Sequence, residues 1–441
     1  MLVGFSFSTA HAQGADPRIA AALKEVSAKQ IHASIAKLTG FHTRSTLSAQ
    51  NPESVAAGRG IGAAREWIKT EFERYSRDCG GCLEVKTDSF TEGPTERIPQ
   101  ATQIVNVYAV LKGTDPENNE RMVLVMGHYD SRNTDVLDGT GFAPGANDNA
   151  SGTAVSLECA RVLSKLRFPA TIVFLAVAGE EQGLNGSRHF AEMAKAAGWN
   201  IVAALNNDIV GGDRSAQQDA RAVRIFSEGL PLAAGEQQLR QIRASGGESD
   251  SDSRQLARYV AEIGRIYSIG VRPVLVFRTD RYLRGSDHIS FNRQGFAAVR
   301  LVEYRENYDH QHQNVRTESG VEYGDLLEFV NFDYVAGAAR LNVAALASLA
   351  SAPPPPANVR LLTKQLENVS TLTWRPSSGG LAAAYEVVWR ATTSAQWEHA
   401  KLVGKVTQVT MPQSKDNVIF AVRAVDAEGR RSLPVVPLPE R

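Results

Sequence analysis

The sequence predicts an α/β fold, with a mainly parallel or mixed central sheet flanked by helices, followed by a small all-β sandwich. Three observations carry that expectation. Short apolar runs rich in β-branched residues recur between residues 122 and 302 without alternating, as strands buried on both faces do. Stretches of helical period separate them, which suits right-handed crossovers. A proline-rich stretch, Ser351 to Ala357 (SAPPPPA), then gives way to short alternating strands set off by turn residues.

The elements follow in order. Asp16-Pro17 opens a helix over Ile19 to Leu38 that Gly40 closes. Glu66 to Tyr75 is a second amphipathic helix. Apolar strands are expected at Met122–Met126, Thr171–Ala178, Val202–Leu205, Val274–Phe277 and Phe296–Val302, with helices at Gly152–Leu166 and Arg188–Ala197 between them. Residues 212 to 270 decode poorly; Gly246 to Asp252 reads as an exposed loop. Beyond the prolines, strands at Val369–Trp374, Tyr385–Arg390, Lys405–Met411 and Val418–Val425 make a sandwich of roughly 85 residues. Its Trp374, Tyr385-Glu386-Val387 and FAVRAVD segment resemble a fibronectin type III module.

A length of 441 residues suggests two or three domains. Lys plus Arg equals Asp plus Glu at 48 each, which argues against a nucleic-acid binder. No apolar run approaches the roughly 20 residues that span a bilayer. Met1 to Phe7 is apolar and Ala10-His11-Ala12 precedes Gln13, so residues 1–12 read as a truncated secretory signal cleaved after Ala12. A cytoplasmic start is the alternative. The expected organisation is then a catalytic domain over 13–350, a linker over 351–357 and the sandwich over 358–441, in a secreted or periplasmic monomer. Cys79 and Cys82 form a C-x-x-C expected as a small disulfide, and Cys159 falls on the apolar face of a helix.

Five potential metal ligands stand in the order His128, Asp148, Glu181, Asp208, His312, with Glu180 beside the third. Two imidazoles and three carboxylates suit a pair of Zn2+ ions, and a spare carboxylate suits a base acting on water. His128 and Asp130 form H-x-D, in which the carboxylate can take the second ring N–H of the imidazole. Asp148 lies in Asn-Asp-Asn-Ala-Ser-Gly just before a helix, where Asn149 or Ser151 also serves as an ordinary cap. Glu180-Glu181 follows an apolar strand, where paired acids are costly unless neutralised. On extended backbone the two point differently, so Glu181 is assigned as ligand and Glu180 as general base. Asp208 alone is a generic turn residue. His288 reads as a helix start. His310 and His312 compete for the last position, and His312 is preferred.

Together these motifs resemble the secreted di-zinc aminopeptidase family of the bacterial leucyl aminopeptidase type, a zinc exopeptidase fold, over about residues 100 to 340. The shared pattern is H-x-D, an Asp before Asn-x-Ser-Gly, Glu-Glu-x-Gly-x-x-Gly-Ser, an Asp after the next strand, Ser-Asp-His and a late His. The resemblance implies that His128, Asp148 and Asp208 hold one zinc, and that Asp148, Glu181 and His312 hold the other. Glu180 would serve a hydroxide held between ions roughly 3.5–4 Å apart, and peptide substrates would present a free amino terminus. The chain departs from the family pattern at Gln313 and Arg316, after the last histidine, and at Leu283, where some members carry an oxyanion-stabilising Tyr; Tyr282 is adjacent. Alternatives are a glutaminyl cyclase with one zinc, a carboxypeptidase or dipeptidase using Arg284 or Arg305 on a substrate carboxylate, and a non-catalytic binding protein.

Overall fold

The structure is a computed structural model that describes residues 14–215 and 217–440. The expected signal segment, 1–12, lies outside the described residues. The chain divides into two compact units, one spanning Pro17–Ala350 and one comprising the residues from Ser351 onward.

The first unit is built on an eight-stranded mixed sheet. Its strands are β1 (Leu83–Glu92), β2 (Thr102–Leu111), β3 (Arg121–His128), β4 (Thr171–Val177), β5 (Asn200–Asn207), β6 (Ala222–Ser227), β7 (Arg272–Val276) and β8 (Ala298–Glu303). They lie in the order β1-β2-β4-β3-β5-β8-β6-β7. The centre, β4-β3-β5-β8, is parallel, whereas β1, β2 and β6 join antiparallel neighbours. Every residue of β4 (TIVFLAV) is buried, as expected for a strand covered on both faces. Phe190, Phe291 and Phe296 pack against it in one apolar cluster. Each such ring contributes about 1.5–3 kcal/mol by leaving water.

The apolar-run criterion found the parallel centre and the edge strand β7, and passed over β1, β2 and β6. β1 (LEVKTDSFTE) alternates between covered and exposed positions and is half polar, so it carries no run. β6 and the helices Glu236–Ala244 and Asp252–Ile266 occupy the poorly decoded segment. The single helix expected over Ile19–Leu38 is two, Pro17–Lys24 and Ala28–Thr39. Ser27 breaks it: in extended conformation its hydroxyl accepts from Gln30 N at 3.3 Å, while Glu158 accepts its backbone N–H at 2.7 Å. Cys79 and Cys82 are disulfide-bonded, and Cys159 is buried in the helix Gly152–Leu163.

Two glycines set the geometry of the sheet's carboxyl edge. A Cβ on Gly127 would stand 2.4 Å from the Gly152 carbonyl carbon, and one on Gly152 would stand 2.0 Å from Asn207 O. Only bare backbone lets the helix Gly152–Leu163 start directly against the ends of β3 and β5.

In the second unit, Gln408–Met411, Ser370–Arg375, Ala357–Leu362 and Leu438–Glu440 form one sheet, and His399–Gly404, Ala384–Ala391 and Val418–Val425 the other. Leu372, Trp374, Tyr385, Val387, Phe420 and Val422 fill the core between them. The expected linker is shortened at both ends. A helix runs from Phe332 through Ser351, and the first strand begins at Ala357.

Candidate metal centre

Three adjacent parallel strands deliver the first acids and imidazole. β3 ends at His128, β4 pairs Val177 with it and runs on to Glu180-Glu181, and β5 is followed by Asp208. Carboxyl ends of neighbouring parallel strands lie side by side, so residues distant in sequence meet at one edge. Asp148 arrives from the turn Ala146–Ser151 ahead of the helix. His312 comes from a loop, in left-handed backbone at φ 53°.

These residues form two groups of possible ligand atoms, His128/Glu180/Asp208 and Asp148/Glu181/His312. Asp148 joins them. Its Oδ1 lies 3.3 Å from His128 Nε2, and its Oδ2 lies 2.9 Å from His312 Nε2. Glu181 Oε1 also stands 2.9 Å from His312 Nε2, and Asp208 Oδ1 stands 3.5 Å from His128 Nε2. Asp148 Oδ1 is buried without a hydrogen-bond partner. Four carboxylates around two imidazoles, with an orphaned oxygen between them, fit divalent cations. Burial pulls the His128 imidazole down, but Glu180, Asp130, Asp148 and Asp208 carry it well above its usual range. A proton there answers the same field a cation would.

Asp130 does more than the H-x-D motif suggests. His128 Nδ1 lies 3.2 Å from its backbone oxygen and 3.4 Å from Oδ1, which leaves Nε2 to face the centre. Its two carboxylate oxygens also accept the backbone N–H groups of Glu180 at 3.3 Å and Glu181 at 3.1 Å. One buried acid thus orients the histidine and fixes the Glu-Glu turn. Asn149 caps the following helix, its Oδ1 accepting from Gly152 N at 2.9 Å.

The two late histidines separate cleanly. His310 pairs with Asp213 and stacks on Phe329 at 3.7 Å between ring centroids, outside both groups of possible ligand atoms. His312 faces Asp148 and Glu181. His288 is buried, lies 2.8 Å from Thr279 O through Nε2 and is pushed down to about 4 by burial, so it stays neutral.

Two supporting residues escaped sequence reasoning. Arg300, buried in β8, places Nη2 2.9 Å from Asp208 Oδ2. Burial pushes Asp208 up, but Arg300 foremost holds it at about 2. Its signal was an arginine inside the apolar run FAAVRLV, a charge that must find a partner. Asp325 accepts from Asn147 N at 2.7 Å and Asp148 N at 2.6 Å, pinning the turn that presents Asp148. No local pattern announces it.

A cavity of about 660 Å³ opens on Asp148, Glu180, Glu181, Asp208 and His312. Tyr308 and Leu283 line it, as do Arg284 and Gln313. Tyr282 packs beneath the Arg278 guanidinium, and Arg305 is exposed outside the lining.

A parallel-centred α/β sheet with buried acids and imidazoles at its carboxyl edge is the build of a metal-dependent hydrolase. The family model described as peptidase family M28 matches residues 106–326. A probable zinc metalloprotease of Leptosphaeria maculans is 45% identical over 427 residues, 96% of this chain and 97% of that one. The chain belongs to peptidase family M28. Among solved structures, the aminopeptidase LapA of Legionella pneumophila superposes with a TM-score of 0.53 at 22% identity, covering 79% of this chain and 78% of that one. A glutaminyl cyclase of Macrostomum lignano gives 0.53 at 15% identity, covering 78% and 95%. At such identities these two show a shared fold.

Proposed function

We propose that this protein is a zinc-dependent exopeptidase, in particular an aminopeptidase, that holds two zinc ions. The observation that carries the reading is the Asp148 carboxylate, which turns one oxygen to His128 and the other to His312. On this reading His128, Asp148 and Asp208 serve one ion, and Asp148, Glu181 and His312 the other. Zinc bound there supplies Lewis-acid polarisation of a carbonyl and a lowered pKa for water.

The chain's own residues do the remaining work. Glu180 stands in the His128/Asp208 group but is half-buried and lines the cavity, so it is the general base rather than a closed-in ligand. Burial, with Asp208, Glu181 and Asp287 nearby, raises its carboxyl well above the usual range against the pull of His128. Lining the cavity, the Glu180 carboxylate can take a proton from attacking water and return it to the leaving amine. Asp130 holds Glu180 and His128 in register through the contacts described above. A cavity of about 660 Å³ suits one or two substrate residues, which favours an exopeptidase.

The carboxypeptidase or dipeptidase alternative has one observation in its favour, Arg284 at the cavity wall. The Cys79–Cys82 disulfide supports a secreted or periplasmic location. The seven-stranded second unit, with Trp374 against Tyr385 at 5.5 Å, supports a fibronectin type III-like module. Zinc analysis combined with assays on aminoacyl-anilides and amino-blocked peptides tests the main reading. Two zinc per chain and cleavage only of free amino termini are expected. One zinc per chain, or faster cleavage of amino-blocked peptides, overturns it.

A further inference from the structure

The formal charge of the chain is zero, yet five arginines gather in its cavity. Arg97, Arg132, Arg281, Arg284 and Arg293 line it, and apart from the metal-facing acids the only carboxylate in the lining is Asp280. Four of the five guanidinium groups have no carboxylate partner among the described residues. Arg97 donates to the Glu181 backbone oxygen at 3.0 Å, and Arg132 donates to the backbone oxygens of Asn133 and Thr134. Arg284 donates to Arg281 O at 3.3 Å and to the Tyr308 hydroxyl at 3.2 Å, and Arg293 is exposed on the short helix His288–Arg293. Neutral oxygens satisfy hydrogen bonds but cancel no charge. Only Arg281 is ion-paired, with Glu306. Burial and the neighbouring Arg300 and Arg284 push its guanidinium down to about 9, as crowding by like charge does.

The four acids facing the centre offset the two ions they are proposed to hold, so they leave the arginines uncompensated. A concave wall of one sign raises the local concentration of the opposite sign. The planar fork of arginine matches a carboxylate in particular. Exposed arginines spread at random over a neutral protein would be matched by nearby acids; these are gathered in one cavity beside the site.

We propose that the cavity selects substrates carrying a carboxylate next to the scissile bond, with Arg284 and Arg293 among the groups that receive it. The proposal rests on the peptidase reading for turnover and on the two proposed zinc ions for the surplus of arginine charge that binds. The carboxylate can come from an acidic side chain at the amino terminus or from the free carboxyl terminus of a dipeptide.

The test uses the zinc-loaded full chain. Calorimetry compares L-glutamate with L-glutamine and L-lysine, and kcat/KM is compared for Glu-Leu-amide, Gln-Leu-amide, and Leu-Leu with free or amidated carboxyl terminus. With an acidic side chain as the source, glutamate is expected to bind roughly tenfold or more tightly than glutamine and Glu-Leu-amide to be favoured by a similar factor; with a free carboxyl terminus as the source, Leu-Leu is expected to be favoured over its amide by that factor. The peptide that is favoured tells the two carboxylate sources apart. In R284E/R293E the ratio of anionic to neutral substrate should fall about tenfold or invert; if that variant does not fold, the exposed R293Q alone should reduce the ratio. Equal binding of glutamate and glutamine, together with equal kcat/KM for Leu-Leu with free and amidated carboxyl terminus, overturns the proposal and leaves the peptidase reading standing. Tighter glutamate binding without cleavage of any peptide supports the cavity's selectivity and overturns the peptidase reading.

Discussion

The two halves of the metal centre are built differently. His128, Glu180, Glu181 and Asp208 sit at the ends of central parallel strands, and their neighbours Asp130 and Arg300 are fully buried. His312 and the Arg281–Arg284 wall sit on loops, and the His312 side chain is a third exposed. The strand-borne half has its positions set by the sheet ladder and a closed network of hydrogen bonds. The loop-borne half relies on a left-handed turn and on contacts made across the cavity. On the proposed reading, the chemistry falls to the strand-borne half and the wall that would meet substrate to the loop-borne one.

The largest test of this division is Glu180→Gln. It should keep its zinc, by metal analysis, yet lose about 10²–10⁴-fold in kcat. Retained turnover would remove the base from the strand-borne half. Next, Arg300→Met breaks a buried pair with Asp208 and should cost about 3–5 kcal/mol of stability in chelator-treated protein, read by urea unfolding. Zinc should recover part of that loss. A negligible cost would show that the strand edge is not held by this pair.

The loop-borne half is probed by comparing His312→Ala with His310→Ala. Zinc affinity should fall more than tenfold further in the first than in the second. Equal losses would mean that the Asp213–His310 pair holds the loop as strongly as His312 holds metal. The smallest effect concerns Glu303 at the end of β8. Burial foremost pushes its carboxyl up to about 8, against hydrogen bonds from Asp213 N and the Asn147 side chain. Because the folded value is raised, its contribution to stability is present below about 4.5 and lost as pH rises through about 8. Glu303→Gln should therefore flatten the fall in unfolding midpoint between about pH 5 and about pH 9. An unchanged slope would assign the pH dependence to other groups.

The same contrast explains what could be read from sequence. Strand-end residues announce themselves because an apolar run followed by a histidine or an acid is a local signature, and the five ligand frames in order are hard to produce by chance. Residues acting through space have no such frame. Asp325 lies in an ordinary loop, and its partners are backbone N–H groups of residues 147 and 148. His310 and His312 are two residues apart, and only the backbone turn at 312 decides which one faces the acids. Arg300 was legible in principle, as a lone charge in a buried strand. β1, β2 and β6 were missed for the opposite reason: flanking strands need not be continuously apolar, and Asn106 interrupts β2 as Arg224 interrupts β6.

The bare backbone at Gly127 and Gly152 has a consequence for how this protein tolerates change. Neither residue lines the cavity or belongs to the groups of possible ligand atoms, yet any side chain there would enter space already filled at 2.4 Å and 2.0 Å. In a saturation mutagenesis map both positions should be as intolerant as the metal-facing acids, and for a different reason. Supplying more zinc should rescue weakened ligand variants in such a map, and it should do nothing for these two glycines.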